Sequence, residues 1–493
     1  MTKSDEEKIG ETISANAWKT LAILSLIATM VMYSETMLIP AIPDLIRDFH
    51  ISYSMSSWIL TTYLIAGAIM TPIAGHLSDI YGRKKVLLII MLVYAVGVSL
   101  GGFATNIYEM IGVRIIQGIG MSMFPIAFGI IRELFPRSKL AIGQGIISSM
   151  FATGAVIGLV AGGHLIQNYG WKSTFFSVIP VSIALLVIIA RFIHVAEPNL
   201  HTKGEKSEDM VGNKIRNKID IPGAITLTVS VSAFLMALTM VENGEGTDSI
   251  SMIWLLVIGI VYLILFAIIE KRSLSPLINM KILANPIILP ANIMIMIVGL
   301  SMFMVFQTIP VLVRSPLPLG FGEDPTMTSN VQLPFAIVLL IFGPTSGFIV
   351  SKLGSTKPII LGSIISTIGF LSLYLYHSTE FLVSTGLAIL STGLSLTNVG
   401  AMNVILLSSP RKEIGVSLGM STLIRIIGAS IGPAMAGMYM QKYTTSLPGI
   451  AGSFPTHDSY NLIFLTATLI SIASVGLSIA LKRQIIKFPI KEF

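Results

Sequence analysis

The sequence predicts an all-α polytopic membrane protein, on three observations. Of its 493 residues 53% are hydrophobic and 12% are Asp, Glu, Lys or Arg, about half the ~25% charge share of a soluble domain. Apolar runs of span length recur from about residue 19 to about residue 482, with almost no charge inside them. Mean hydropathy is +0.82, and the runs lack the alternation of lipid-facing and lumen-facing residues that marks an outer-membrane barrel.

Residues 1–18 are polar, carry Asp5, Glu6, Glu7 and Glu11, and lack the basic stretch and cleavage site of a secretory signal. They are read as a cytoplasmic N-terminus. A span needs ~20 apolar residues to cross ~30 Å of hydrocarbon. Fourteen helices are therefore expected, at about 19–41, 54–75, 85–105, 107–131, 141–166, 172–195, 221–241, 252–270, 287–313, 331–350, 358–377, 381–406, 414–440 and 461–481. Lys and Arg are retained in cytoplasmic loops. With both termini inside, the inner loops hold Arg83, Lys84, Lys85, Arg132, Lys271, Arg272, Lys352, Lys357, Arg411 and Lys412 among others, and the outer loops only Arg47, Lys172, Arg314 and Lys442. The formal charge of +7 is thus topological and gives no nucleic-acid surface. The chain has no cysteine, which excludes disulfides and thiolate chemistry.

The chain repeats. At an offset of 272, Pro72 pairs with Pro344, Gly75 with Gly347, Gly82 with Gly354 and Lys85 with Lys357; at 274, Gly145, Gly154, Gly158 and Gly163 pair with Gly419, Gly428, Gly432 and Gly437. Two clusters at nearly one offset imply a six-helix half at 19–195, a cytoplasmic linker at 196–220, two inserted helices at 221–270, a cytoplasmic loop at 271–286, a second six-helix half at 287–481 and a cytoplasmic tail at 482–493. The linker has mixed charge and few large apolar residues, the composition of a flexible connector. Two such halves around a midplane site form the architecture of alternating-access transporters.

Between the second and third spans lies Gly75-His76-Leu77-Ser78-Asp79-Ile80-Tyr81-Gly82-Arg83-Lys84-Lys85, a tight Gly-hinged turn with an acid on one side and a basic cluster on the other. It resembles the loop signature G-x-L-x-D-x-x-G-R-K/R-K/R of the major facilitator superfamily. The resemblance implies the major facilitator fold and a latch of the inner gate formed by Asp79 and Arg83. In the second half Ser351 and Ser355 replace the acid and the arginine, so the latch is one-sided. Arg114-Ile115-Ile116-Gln117-Gly118 resembles the family's R-x-x-Q-G; in drug:proton antiporters this arginine is implicated in proton coupling. An arginine inside a span costs ~2.5–3.5 kcal/mol on insertion scales and normally faces a polar cavity or a partner, or snorkels to the interface.

Gly154, Gly158 and Gly162 recur at steps of four, which lets helix backbones approach closely, and Gly163 follows. The stretch resembles the antiporter signature G-x-x-x-G-P-x-x-G-G, with Leu159 in place of its proline; Gly428, Gly432 and Pro433 supply the second-half equivalent. Of the 25 carboxylates Glu35 is the one placed well inside an apolar span. Burial favours the neutral form of a carboxyl, which suits a proton carrier. In the fourteen-helix drug exporters the usual acid of this helix falls at the position of Ser34, one residue earlier. The repeat sets Gln307 opposite Glu35. Arg425 interrupts the thirteenth span, resembling an R-x-x-G of the same exporters. Tyr33, Gln117, Met121, Phe124, Phe303, Phe306, Asn398 and Asn403 are cavity liners by chemistry, since Met and aromatic surfaces repack around varied ligands.

The expected function is secondary active transport: proton-coupled efflux of drug-like or lipophilic compounds across the cell membrane by a monomer, with small molecules, protons and lipid as partners and no cofactor or metal. The alternatives are an exporter of one metabolite or a uniporter. No P-loop is present, and the seven histidines are scattered with no HExxH, which argues against an ATP-driven pump and a membrane-embedded enzyme. One buried acid and two buried arginines fit cations, neutral compounds or anions alike.

Overall fold

The computed structural model describes residues 13–136, 140–193, 220–239, 246–273, 276–354, 356–410, 414–450 and 452–487. The expected linker at 196–219 and both chain ends lie outside them. The helices are α1 (Ala15–Thr36), continued by a 3-10 turn and α2 (Ile42–Phe49), α3 (Tyr53–Tyr81), α4 (Arg83–Gly101), α5 (Ile107–Gly118), continued by a 3-10 turn into α6 (Met123–Leu134), α7 (Leu140–Tyr169) and α8 (Lys172–Phe192). There follow α9 (Ile221–Thr239), α10 (Gly246–Arg272), the short α11 (Met280–Leu283), α12 (Ile288–Arg314), α13 (Pro325–Leu353), α14 (Thr356–Leu375), α15 (Glu380–Ser408), α16 (Ile414–Lys442) and α17 (His457–Lys487). Between α16 and α17 lies a two-stranded antiparallel hairpin, β1 (Thr444–Ser446) and β2 (Ser453–Pro455).

Among the described residues twelve helical segments are long and apolar enough to cross a membrane. The expected count of fourteen is thus not reached: at two of the expected positions α7 and α9 are helices outside the twelve, the apolar part of α9 being Ile221–Ala237. Helix starts follow local chemistry. Ser14, Ser52, Asn106, Asp324 and Thr379 each accept a backbone N–H of the first turn, satisfying donors that have no partner in the helix. The α3–α4 and α13–α14 corners turn on Gly82 (φ 93°) and Gly354 (φ 74°), a backbone conformation that other residues rarely adopt.

Helices at corresponding positions of the two expected halves pack alike. In the first half α1 packs on α7 and α4 on α8; in the second α12 packs on α16 and α14 on α17. The halves meet along one seam, α3 against α16 and α7 against α13. The inserted α9 lies on α10 and on the edges of α3 and α16, where Ile65, Leu227, Leu423 and Ile427 line a small apolar pocket. Most of the apolar surface of α10 is exposed, Ile253, Trp254 and Ile264 included, as lipid contact requires.

The seam is closed at one end and parted at the other. On α3 residues 59–64 are buried whereas 69–73 are half-buried or exposed, and α13 repeats the pattern, with Thr328, Ser329, Val331 and Gln332 buried and 337–342 open. At the closed end a Cβ added to Gly437 would meet Ser54 of the opposite half at 2.9 Å; one added to Gly419, at the other end of α16, would meet nothing within 4 Å.

Candidate functional site at the seam between the halves

The end of α1 distributes four consecutive side chains in four directions, about 100° apart. The Tyr33 hydroxyl lies 3.2 Å from Ser177 Oγ on α8, Ser34 Oγ meets the Tyr94 hydroxyl on α4, and Thr36 Oγ1 donates to the Ala155 carbonyl of α7 at 3.1 Å. The remaining direction belongs to Glu35 and points to the seam. Among the cations Arg425 of the opposite half acts on it electrostatically more strongly than Arg114 does. Glu35 is 5% exposed. Among the described residues neither of its oxygens accepts a hydrogen bond, and Oε2 is fully occluded. Tyr33, expected as a cavity liner, is instead turned toward the outer helix α8.

Arg114 is fully buried inside the first half. Its Nε donates to the Ile59 carbonyl at 2.8 Å and its Nη1 to the Ser34 carbonyl at 3.0 Å and to Gln117 Oε1 at 3.1 Å. The guanidinium stands 4.3 Å over the Tyr63 ring, and the Tyr63 hydroxyl donates to the Val31 carbonyl at 3.0 Å. Arg114 does not reach the interface; it ties α5 to α1 and α3 where α1 breaks before Pro40. Irregular backbone at membrane depth is tolerated where side chains satisfy it. Nη2 of Arg114 and Nε2 of Gln117 remain without partners. Met121 packs against Gly67 of α3.

In the second half, Gln307 Nε2 donates across the seam to Ser56 Oγ at 2.8 Å, while its Oε1 is buried without a partner. Asn398 Oδ1 on α15 is also occluded and unpaired. Gln332 on α13 was not singled out from the sequence, yet both its amide atoms are buried and unpaired; an amide inside an apolar run was the available signal. Arg425 belongs to a half-buried stripe of α16 with Leu418 and Thr422. Among the described residues it makes no hydrogen bond or ion pair. Orphaned buried polar atoms call for an explanation, and here they belong to Glu35, Arg114 and Gln117 of the first half and to Gln307, Gln332 and Asn398 of the second, among others.

The closed end is held by polar contacts that sequence reasoning did not pair. Arg314, at the end of α12, binds both carboxylate oxygens of Asp44 on α2, with Nη2 to Oδ1 at 2.8 Å. The two positions are 270 apart, close to the repeat offset, so an acid in one half and a base at the matching place in the other was the legible signal. The Tyr53 amide donates to Gln441 at 3.0 Å, and Ser329 Oγ to the Leu159 carbonyl at 2.8 Å. At the parted end Arg83 binds Glu133 Oε1 at 2.7 Å and the Gly129 carbonyl, and Lys84 donates to the Ala190 carbonyl at 2.8 Å. These contacts stay within the first half, where Gly75 lies beside Pro125; the Asp79 side chain lies outside the described residues.

The glycine motif is a packing device in both halves. A Cβ at Gly154 would meet the Thr29 carbonyl of α1 at 2.5 Å, at Gly158 the Tyr33 carbonyl at 2.5 Å and at Gly162 the Met37 carbonyl at 2.5 Å. Gly428 and Gly432 lie equally close to Met296 and Leu300 of α12, and α16 continues through Pro433. Gly163 instead faces Ser329 across the seam. Among the described residues no group of three His, Asp or Glu could hold a metal.

The profile of the Major Facilitator Superfamily matches residues 24–433. A multidrug transporter protein of Bacillus subtilis, MdtP, is 28% identical over 453 residues, covering 88% of this chain and 80% of that protein. Multidrug resistance protein 3 of the same organism is 26% identical, covering 92% and 86%. In fold the chain is similar to a bacterial homologue of the human lysosomal transporter Spinster in its inward-facing, unoccupied conformation, with TM-score 0.69, 15% identity and coverage of 96% and 98%. A match of the family's profile to residues 24–433, over most of its length, makes this chain a member of the Major Facilitator Superfamily.

Proposed function

We propose that the chain exports drug-like or lipophilic compounds in exchange for protons, by alternating access of the seam. The observation that carries the reading is Glu35, an occluded carboxyl aimed at the opposite half with no donor among the described residues. An ionised carboxylate stripped of water and donors is costly in an apolar interior, and either a proton or a polar group of the substrate removes that cost. Two occupants that exclude each other at one carboxyl are what exchange requires. The relatives named as multidrug transporters support the substrate class.

In this reading fourteen helices span the cell membrane, α7 with 30 residues and α9 with 19 joining the twelve. Both termini lie in the cytoplasm, so the Asp44 end faces outside and the parted end faces the cytoplasm. Small molecules enter there and meet Gln117, Met121, Gln307, Asn398 and Arg425. Arg114, holding the carbonyl next to Glu35, tunes proton release. Asp79 and Arg83 latch the inner gate in the opposite state; here Arg83 is engaged by Glu133. The inserted α9 and α10 brace the α3–α16 edge of a working monomer.

The test uses everted vesicles energised acid-inside, recording proton release from the lumen as cationic, neutral, zwitterionic and anionic compounds are added. Substrate-dependent release is expected, and its loss in a folded Glu35→Gln variant. Full exchange by that variant removes the proton role from Glu35. No response to any compound, in vesicles that hold their gradient, points to a narrow metabolite exporter or an uncoupled carrier.

A further inference from the structure

Two opposite charges, Glu35 in the first half and Arg425 in the second, stand unpaired among the described residues. Glu35 belongs to α1 of the first half and Arg425 to α16 of the second, and each is the other's foremost charged neighbour across the seam. Neither makes an ion pair or a hydrogen bond among the described residues. The rest of the seam shows that this fold does close such contacts. Asp44 and Arg314 meet as a bidentate pair at its closed end, and Gln307 reaches Ser56 at 2.8 Å. Arg114, buried in the first half, is engaged by three hydrogen bonds and a ring. Glu35 and Arg425 are thus opposite charges left unpaired among the described residues, one supplied by each half.

A ligand that carries only a cation satisfies Glu35 and leaves Arg425 facing a like charge. An anion satisfies Arg425 and confronts Glu35. A neutral compound leaves both charges desolvated, which is the costly arrangement. A ligand with both charges answers both groups, and because they stand on different halves it also links the halves. We propose that the seam binds zwitterionic compounds, an ammonium group of the ligand meeting Glu35 and a carboxylate meeting Arg425. The proposal rests on the reading of the seam as the transport site and specifies its substrate class. The planar fork of an arginine suits a carboxylate in bidentate fashion, and Arg425 has that fork unengaged. Protonation of Glu35 removes the ammonium contact and leaves the carboxylate contact, so the proton weakens the grip by one of its two points.

The experiment measures equilibrium binding to the purified full chain of four forms of one lipophilic amino acid, by calorimetry. The probes are 4-phenylphenylalanine, its methyl ester (cation only), its N-acetyl derivative (anion only) and the N-acetyl methyl ester (neutral). The zwitterion is expected to bind at least about tenfold more tightly than either singly charged form, the worth of one charge-assisted hydrogen bond. Arg425→Gln should bring the zwitterion down to the level of its ester and leave the ester as tight or tighter; Arg425→Lys should retain part of the preference. Glu35→Gln should bring the zwitterion down to the level of the N-acetyl form. The wild-type comparison alone decides if a variant fails to fold: an ester that binds as well as the zwitterion overturns the proposal and leaves the transport reading standing. Failure of all four forms to bind also overturns it, and the vesicle panel then judges the transport reading separately.

Discussion

Asp44 and Arg314 form a bidentate ion pair that joins the two halves at the closed end of the seam, with side chains 10% and 15% exposed. Arg47 adds a weaker contact to the same carboxylate at 3.2 Å. Opening this end has to break the pair and rehydrate both charges. Losing one partner strands the other, which costs 3–5 kcal/mol at a fully buried site and ~1–2 kcal/mol at this partly exposed one. Asp44→Asn should therefore shift the population toward opening at this end by about tenfold. The chain has no cysteine, so spin labels at positions 108 and 381, exposed at this end of α5 and α15, report the distance directly. An unchanged distance distribution in the variant would show that the pair does not hold the gate.

The steps of four in the glycine motif predict unequal costs for one substitution. At Gly158 a methyl group meets the Tyr33 carbonyl at 2.5 Å, backbone that cannot yield without moving α1; at Gly112 it meets nothing within 4 Å. Gly158→Ala should lose ~1–3 kcal/mol, the usual cost of overpacking. Gly112→Ala should gain up to ~1 kcal/mol from helix propensity. Thermal unfolding in detergent, followed by the folded fraction on a sizing column, reads both. Equal melting temperatures for the two variants would mean that the α1–α7 contact gives way easily.

What was legible in the sequence follows period and charge. Span positions came from apolar length, and the two halves from glycines that pack helix against helix, because backbone contact tolerates nothing larger. Glu35 was legible as an acid in an apolar run, but its direction was not: that depends on Ser177, Tyr94 and Ala155 taking the other three faces of α1. Arg114 and Arg425 read alike in sequence as arginines inside spans. Only packing separates them, because hydrogen-bond partners such as the Ile59 carbonyl lie on other helices. Asp44 and Arg314 read locally as loop charges, and only their separation of 270 positions, close to the repeat offset, links them.

His377, in the turn between α14 and α15, predicts a pH effect on stability. Burial against Phe464, with ring centroids 5.4 Å apart, pushes its imidazole below the usual 6.5, and a contact from Nδ1 to the Leu373 carbonyl at 2.8 Å opposes the shift. The folded chain therefore binds this proton less readily than the unfolded one. Its contribution is complete above 6.5 and is lost as the pH falls from there toward the folded value. His377→Gln should flatten the melting temperature across that window. A variant that keeps the wild-type slope assigns the pH dependence to another group.

The two arginines of the bundle should respond oppositely to the same change. Arg114→Gln removes hydrogen bonds to the Ile59 and Ser34 carbonyls, both of them on fully buried residues. At ~1.5–3 kcal/mol for each charged hydrogen bond, the loss is on the order of 3 kcal/mol or more. Lysine cannot replace the fork that reaches two helices at once, so Arg114→Lys should recover little. Arg425→Gln removes a half-buried cation that has no hydrogen bond or ion pair among the described residues, and removing an uncompensated charge from an apolar setting costs the fold little or nothing. Its melting temperature should stay close to wild type while binding of charged ligands changes. Comparable destabilisation by Arg114→Gln and Arg425→Gln would mean that Arg425 supports the fold as Arg114 does, and a residue tied into the fold is not available to a ligand.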